Sequence, residues 1–366
     1  MHIKLLRRVD RYIIMMIFFF CRWKYLFCRK TKTILQDPKK ILIIRLWLGS
    51  TILTFPMVKQ LQDHYGQNVQ YDVLGTKRNL FLLKKQNYFK RYFDFFDIRD
   101  LVTLLKMIKS YDIVIDTEEY FRASTLLSIR LGKYSVFGAL QSRKIYNFPI
   151  PYNDQQHVVL TFLDLLKPLG IKTFEPVSLE SIHLDERDIQ EGDKIFESFS
   201  DKHNICLHTG AETSSERFWS IANRVGLITL LHDHFQDRVV FFLSCTSIDI
   251  PYVQGVQAID KDIAVHIVQL PLFAFSHFVS KCDVMVSNDT GPLHIAAAMG
   301  TKTIGLFPNL PQRFGPYPPE KNIALYEGDG TPYINVHLGQ FLSCSGSIID
   351  SITPQMVFDH VSKMIS

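Results

Sequence analysis

The residues best suited to chemistry lie in one run, Asp283 to Phe307, which reads DVMVSNDTGPLHIAAAMGTKTIGLF. A short apolar segment feeds straight into Asn288-Asp289-Thr290-Gly291-Pro292. Proline suits the first position of a helix, and Asp289 or Thr290 suits the cap before it. Gly291 has no side chain to keep a ligand off the backbone. Ala296, Ala297 and Ala298 let the helix close on a sheet, and Gly300 ends it. A helix N-terminus at the carboxyl end of a strand offers backbone amides and the positive end of the helix dipole, which together suit an anion. His294 falls in the first turn. The same pattern also describes a capped helix with no ligand.

Two further groups carry chemistry. The run HTGAETSSERFW, residues 208–219, puts Thr209 and Gly210 after an apolar segment and Arg217 before an aromatic pair. Backbone donors with a bidentate cation suit a diphosphate, although polar loops containing an arginine are common. The run YDIVIDTEEYFRAS ends an apolar segment on Asp116, with Glu118, Glu119 and Arg122 close behind. Carboxylates there suit proton transfer and the arginine an acidic acceptor. The plain alternative for Glu118 and Glu119 is a solvated loop.

The elements that must position these groups alternate along the chain. Strands are expected at Ile41–Arg45, Val69–Leu74, Tyr111–Thr117 and 134–138. Helices are expected at Thr51–Tyr65, Leu101–Lys109 and 121–131. A helix over Asp154–Leu169, stopped by Gly170, closes this half. Residues 171–202 read as a charged, irregular connection. The alternation then resumes with strands at Asn204–His208, Val239–Ser244, Asp283–Ser287 and Thr303–Phe307. Its helices start at Trp219 and span Leu272–Lys281, Pro292–Met299 and Pro354–Ile365. Short Val/Ile/Leu runs without polar alternation are strands covered on both faces, and repeated βαβ units make parallel sheets. The expected fold is α/β, two facing Rossmann-like doubly wound domains with a C-terminal helix. Such sheets bind ligands at the carboxyl ends of their strands. The expected boundaries are 38–185 and 186–350, with 1–37 as a leader and 351–366 as the closing helix.

Composition narrows the function further. The chain has 366 residues, 47% hydrophobic and 13% aromatic, which is enough for two cores. Its net charge of +5 is unevenly placed. Residues 1–32 hold nine Lys and Arg against one acid, Asp10, or +8, and the remainder sums to −3. A near-neutral body argues against a nucleic-acid partner. The leader's apolar run, Tyr12–Cys21, is too short to span a bilayer and lacks the small-residue cleavage site of a secretory signal. Its basic flanks suit an anionic membrane surface, at ~1 kcal/mol per Lys or Arg, while packing on the protein itself is the alternative. Six scattered cysteines without a CxxC pair suit a reducing compartment.

The run SNDTGPLHIAAAMGTKTIGLF, with Phe314-Gly315-Pro316-Tyr317 after it, resembles the donor-site motif of the bacterial heptosyltransferases, glycosyltransferase family 9. The likeness extends more loosely, in order, over residues 40–362. It implies the two-domain GT-B fold and transfer of heptose from ADP-heptose onto lipopolysaccharide core, at the cytoplasmic face of the inner membrane. It further implies that Asp289 contacts donor hydroxyls, and that Thr290 and Gly291 hold the diphosphate with His294. Thr209, Gly210 and Arg217 would complete that site, Arg217 standing where the family has lysine. Glu118, Glu119 and Arg122 fall in the acceptor-side loop. No cofactor or metal is implied, because a cation and a helix N-terminus can stabilise the leaving diphosphate. One position departs from the family. Leu48-Gly49-Ser50 places Ser50 where the family has its Asp base. A hydroxyl does not take a proton at neutral pH unaided. Either a carboxylate among Asp116, Glu118 and Glu119 takes over, or the acceptor is activated differently, or the chain is a degenerate, non-catalytic binder. A nucleotide-sugar epimerase on the same fold is the remaining alternative.

Overall fold

The computed structural model describes residues 36–366 except 119–120, 139–145, 152, 154, 174–176, 197–200, 211–217, 247–248, 258–262, 264, 331–333, 336–339 and 342–348. The chain divides into two compact units, Met1–Glu175 with Asn335–Gln340, and Pro176–Ile334 with Phe341–Ser366. The expected membrane leader therefore lies outside the described residues. Among those residues, no helix is long and apolar enough to cross a membrane.

The first unit runs β1 (Lys40–Ile44), α1 (Phe55–Tyr65), β2 (Gln70–Gly75), α2 (Lys77–Lys85), β3 (Arg91–Asp94), α3 (Ile98–Lys106), β4 (Tyr111–Asp116), α4 (Arg122–Leu131), β5 (Gly132–Gly138), β6 (Phe148–Pro149) and α5 (Val158–Asp164). Its strands form one parallel sheet in the order β3-β2-β1-β4-β5-β6. Residues 41–44 and 113–115 are buried throughout, the burden expected of central strands covered on both faces. Burying such a side chain contributes roughly 1.5–3 kcal/mol. Leu42, Ile44, Val114 and Leu104 meet in the core on one side of the sheet.

The second unit runs α6 (Glu186–Asp193), β7 (His203–His208), α7 (Ile221–Phe235), β8 (Val239–Ser244), α8 (Ile250–Gln257), β9 (Val265–Val268), α9 (Leu272–Ser280), β10 (Val284–Asn288), α10 (Gly291–Ala298), β11 (Lys302–Leu306), β12 (Ile323–Leu325) and α11 (Pro354–Ile365). The sheet is parallel, in the order β12-β11-β10-β7-β8-β9. Helix α11 is part of this core and not an appendage. Val357, Val361 and Ile365 pack with Trp219, Leu227 and Leu231, and the Trp219 indole donates to the Ile352 carbonyl at 2.8 Å.

Two differences from the sequence reading have clear causes. The units part after residue 175, ten residues before the expected boundary. Val177, Leu179 and Ile182 are buried, and Ser181 Oγ donates to the Ala298 carbonyl at 3.2 Å, so the connection has joined the second unit. Part of the stretch read as irregular is helix α6. Its reciprocal Asp185–Asp188 capping box is worth ~1 kcal/mol. Gly192 also lies so close to the Ala274 carbonyl that a Cβ would stand 2.8 Å from it.

Candidate active site

In both sheets the strand order reverses once, between β1 and β4 and between β7 and β10. At such a reversal the flanking loops part to opposite faces and leave a crevice at the strands' carboxyl ends. The chemically suited residues gather at these two places, each within its own unit.

In the second unit, β7 ends on His208 and leads to Thr209 and Gly210. Strand β10 ends on Asn288 and leads to Asp289. The Asp289 amide donates to the Leu306 carbonyl at 3.1 Å, extending the ladder by one residue before the chain turns. Thr290 occupies the cap position of α10, but its hydroxyl meets Ser287 Oγ at 3.1 Å and makes no cap bond. A Cβ built on Gly291 meets nothing within 4 Å, so the helix start is open. Thr209 is buried, its amide and hydroxyl both donating to the Ser244 carbonyl, at 3.0 and 3.2 Å. Gly210 has a steric reason: a Cβ there would stand 2.9 Å from His208 Nε2 and 3.2 Å from Asp249 Oδ2.

Behind these loops lies a residue the sequence reading missed. Arg224 of α7 is fully buried. Its Nη1 donates to the His208 carbonyl and its Nη2 to Asn288 Oδ1, each at 3.2 Å. Its guanidinium lies 5.8 Å over the Trp219 ring. One cation thus joins the ends of β7 and β10. The signal was its helical spacing from the buried Leu227 and Leu231, which puts Arg224 on the inward stripe. Burial, and then the nearby Arg224 charge, push the His208 imidazole down to about 4. Burial alone pushes His294 down to about 4. Both rings are therefore neutral at pH 7. His294 Nδ1 and Asn288 Nδ2 are buried with no hydrogen-bond partner among the described residues. Arg217 and the Asp260-Lys261-Asp262 triplet, a paired-acid pattern the sequence reading passed over, lie outside the described residues.

In the first unit the reversal is organised by Arg45, also missed because it ends the apolar run ILIIR like any surface charge. It is buried. Its Nη2 donates to Ser50 Oγ and its Nη1 to the Thr117 carbonyl at 3.4 Å. Nη1 stands 3.5 Å from Glu118 Oε1, and the Phe162 ring lies 5.2 Å away. Glu118 Oε1 also accepts from the Leu46 amide at 2.8 Å. Ser50, the position of the family's base, is half-buried and tied through Arg45 to Glu118. Glu118 is buried rather than solvated.

Asp116 corrects an expectation. It is fully buried and accepts from Tyr146 OH at 2.7 Å, Ser124 Oγ at 2.9 Å and Ser128 Oγ at 3.2 Å. Its other oxygen takes the Glu118 amide at 3.0 Å. A carboxylate so engaged pins the strand end to α4 and does not serve as a base for a substrate. Glu119 lies outside the described residues, and Arg122 is described only by its backbone at the first position of α4. Among the described residues, no group of three His, Cys, Asp or Glu could hold a metal ion.

With this geometry in view, comparison with known proteins is informative. The family model for glycosyltransferase family 9 (heptosyltransferase) matches residues 102–333. The lipopolysaccharide core heptosyltransferase of Haemophilus influenzae is 26% identical over 308 residues, covering 80% of this chain and 86% of that protein. The solved structure of a family 9 glycosyl transferase from Veillonella parvula superimposes with a TM-score of 0.73 at 17% identity, over 89% of this chain and 97% of that one. The Escherichia coli ADP-heptose lipopolysaccharide heptosyltransferase II gives 0.66 at 19% identity, over 89% and 98%. These likenesses identify the α/β architecture as GT-B.

Proposed function

Because the chain belongs to glycosyltransferase family 9, and is a glycosyltransferase, we propose that it moves heptose from ADP-heptose to a lipopolysaccharide-core acceptor, with inversion and without a metal ion. The names of its relatives, a lipopolysaccharide core heptosyltransferase and an ADP-heptose heptosyltransferase, support this choice of substrates. The observation that carries the donor assignment is the reversal at β7 and β10. The open start of α10 lies there with buried Arg224 behind it, and the Asn288 and His294 side chains each keep a buried polar atom without a partner among the described residues.

In this reading Thr290, Gly291, Thr209 and Gly210 hold the diphosphate with His294 and Arg217, and Asp289 binds hydroxyls of the sugar. The acceptor oxygen forms its bond to the anomeric carbon as that carbon's bond to the diphosphate oxygen breaks. The electron pair leaves with ADP, where the helix start and Arg217 stabilise the growing charge. The acceptor's proton goes to Glu118, the carboxylate of the Ser50–Arg45–Glu118 cluster, and Glu119 and Arg122 complete the acceptor side. The enzyme would work on the cytoplasmic face of the inner membrane, with basic residues 1–32 against the anionic lipid.

Titration calorimetry with ADP tests the donor half. Arg217→Ala should weaken binding by ~1.5–3 kcal/mol, the range for a charged hydrogen bond. Gly291→Val should weaken it without unfolding the chain, since a Cβ at this position meets nothing within 4 Å. Unchanged ADP affinity in both folded variants would refute the assignment.

A further inference from the structure

The surface of helix α3 is unusual. The helix buries Leu104 and half-buries Leu101 and Met107. Ile98, Val102 and Leu105 recur at i, i+4 and i+7 on its other side, exposed at 75%, 43% and 44%. Phe96 before the helix and Ile108 after it are 55% and 56% exposed. Of the nine large apolar side chains exposed among the described residues, five thus fall within residues 96–108.

Basic residues border this stripe along one flank and at its C-terminal end. Arg99 and Lys106 are exposed one helical step round from it. Arg130 reaches over to the Leu105 carbonyl at 2.9 Å, and Lys109 holds the Ile129 carbonyl at 2.8 Å. The nearby acids bind backbone. Asp97 accepts from the Arg99 and Asp100 amides, Asp100 from the Asp94 amide, and Asp94 from the Phe96 amide. The acids gather at the N-terminal end, and the cationic border runs along the flank and the C-terminal end of the stripe.

We propose that α3, with Phe96 and Ile108, docks on an anionic lipid surface. An apolar stripe beside a basic flank is the pattern of a helix lying in a membrane interface, its aliphatic side chains among acyl chains and its cations among headgroups. Charge decides against the leader, and size against a second copy. Residues 1–32 carry +8, the same sign as this border, and would be repelled by it. A nine-residue helix is only ~13 Å long, a small patch against the roughly 800 Å² per partner of a stable interface. The position makes sense of a glycolipid acceptor. Phe96 and Ile98 follow the carboxyl end of β3, the sheet edge on which the β1 and β4 ends present Ser50 and Glu118. This last point rests on the transferase reading, whereas the docking itself does not.

The test is flotation of the full chain with vesicles of phosphatidylethanolamine and phosphatidylglycerol, against phosphatidylcholine alone. Ile98→Ser/Val102→Ser/Leu105→Ser and Arg99→Glu/Lys106→Glu change exposed positions only. Each should lower the bound-to-free ratio on anionic vesicles about tenfold or more. In the wild-type chain, vesicles should slow hydrogen exchange within residues 96–108. Unchanged partitioning of both variants, or unchanged exchange in this segment, would overturn the proposal. So would a triple-serine variant that turns a dimer into a monomer while binding vesicles normally, which would make the face a subunit interface. ADP release with a lipid-free acceptor is read separately. Its failure counts against the transferase reading and leaves the vesicle result standing.

Discussion

Replacing Glu118 by glutamine keeps the side chain's shape and an oxygen for the Leu46 amide, but removes the charge opposite Arg45. Both side chains are almost fully buried, at 1% and 5% exposure, with Nη1 and Oε1 3.5 Å apart. Removing one partner of a buried pair costs about 3–5 kcal/mol because the other charge is stranded. Here the stranded guanidinium keeps the Thr117 carbonyl, the Ser50 hydroxyl and the Phe162 ring. The lower end, about 3 kcal/mol, is therefore expected. Arg45→Met should cost a similar amount by stranding Glu118. The double variant should cost at least ~2 kcal/mol less than the sum of the two, since both charges leave together. Guanidinium unfolding followed by circular dichroism gives all three values. Turnover across pH then separates structure from chemistry. If Glu118 takes the acceptor's proton, Glu118→Gln lowers the rate ~10²–10⁴-fold and abolishes the acid limb of the profile. Strictly additive single effects, each under ~1 kcal/mol, would refute the idea that this pair organises the loop. A retained acid limb would refute the base.

Ser50→Asp puts a carboxylate where Arg45 Nη2 already donates, on a half-buried residue, so it should release Glu118 from Arg45 and raise ADP release about tenfold or more. No gain, together with full activity of Glu118→Gln, would remove both positions from the proton path. Acid should weaken the fold through His208 and His294. Each is held neutral down to about 4 in the native state and takes a proton near 6.5 when unfolded, so stability present at pH 7 is lost as pH falls through the window between those values. At pH 5 the loss is about 2 kcal/mol per ring. Urea midpoints at pH 7 and 5 check this, and His294→Gln should remove about half of the difference. Equal pH sensitivity in that variant would exclude His294 as a source.

Much of the fold was legible because its central strands announce themselves. Residues 41–44 and 284–286 are unbroken apolar runs closed by polar punctuation, and α10 carries its start and stop in Pro292 and Gly300. The missed elements lack that signal. Strand β3 reads RYFD and lies at a sheet edge, where two faces of burial are not required. Helix α6 reads ERDIQEGD, nearly without apolar residues, and is held by its capping box and by packing on α9. The candidate site divides in the same way. Asp289 to His294 could be picked out because backbone punctuation and chemistry coincide there. Arg45, Arg224 and the fate of Asp116 could not, because their partners stand far along the chain. Thr117 and Glu118 hold Arg45, Asn288 holds Arg224, and Ser124, Ser128 and Tyr146 surround Asp116. Local pattern shows where a charge sits in sequence, whereas distant partners decide whether it is buried.

The way α11 closes the second core has a consequence for biosynthesis. Trp219, at the threshold of α7, has its indole bound by Ile352, and the stripe Val357–Val361–Ile365 completes the packing around Leu227 and Leu231. On the ribosome, β7 emerges long before those partners exist. Every residue from His203 to Ile352 must be translated while the half-made sheet keeps an apolar flank in water. The first unit, apart from Asn335–Gln340, draws on residues that emerge earlier and has no such wait. Translational pausing late in the message, or a shortage of chaperones that shield nascent chains, would therefore fall mainly on the second unit. The resulting misfolded species would be a folded first unit trailing an aggregation-prone second one.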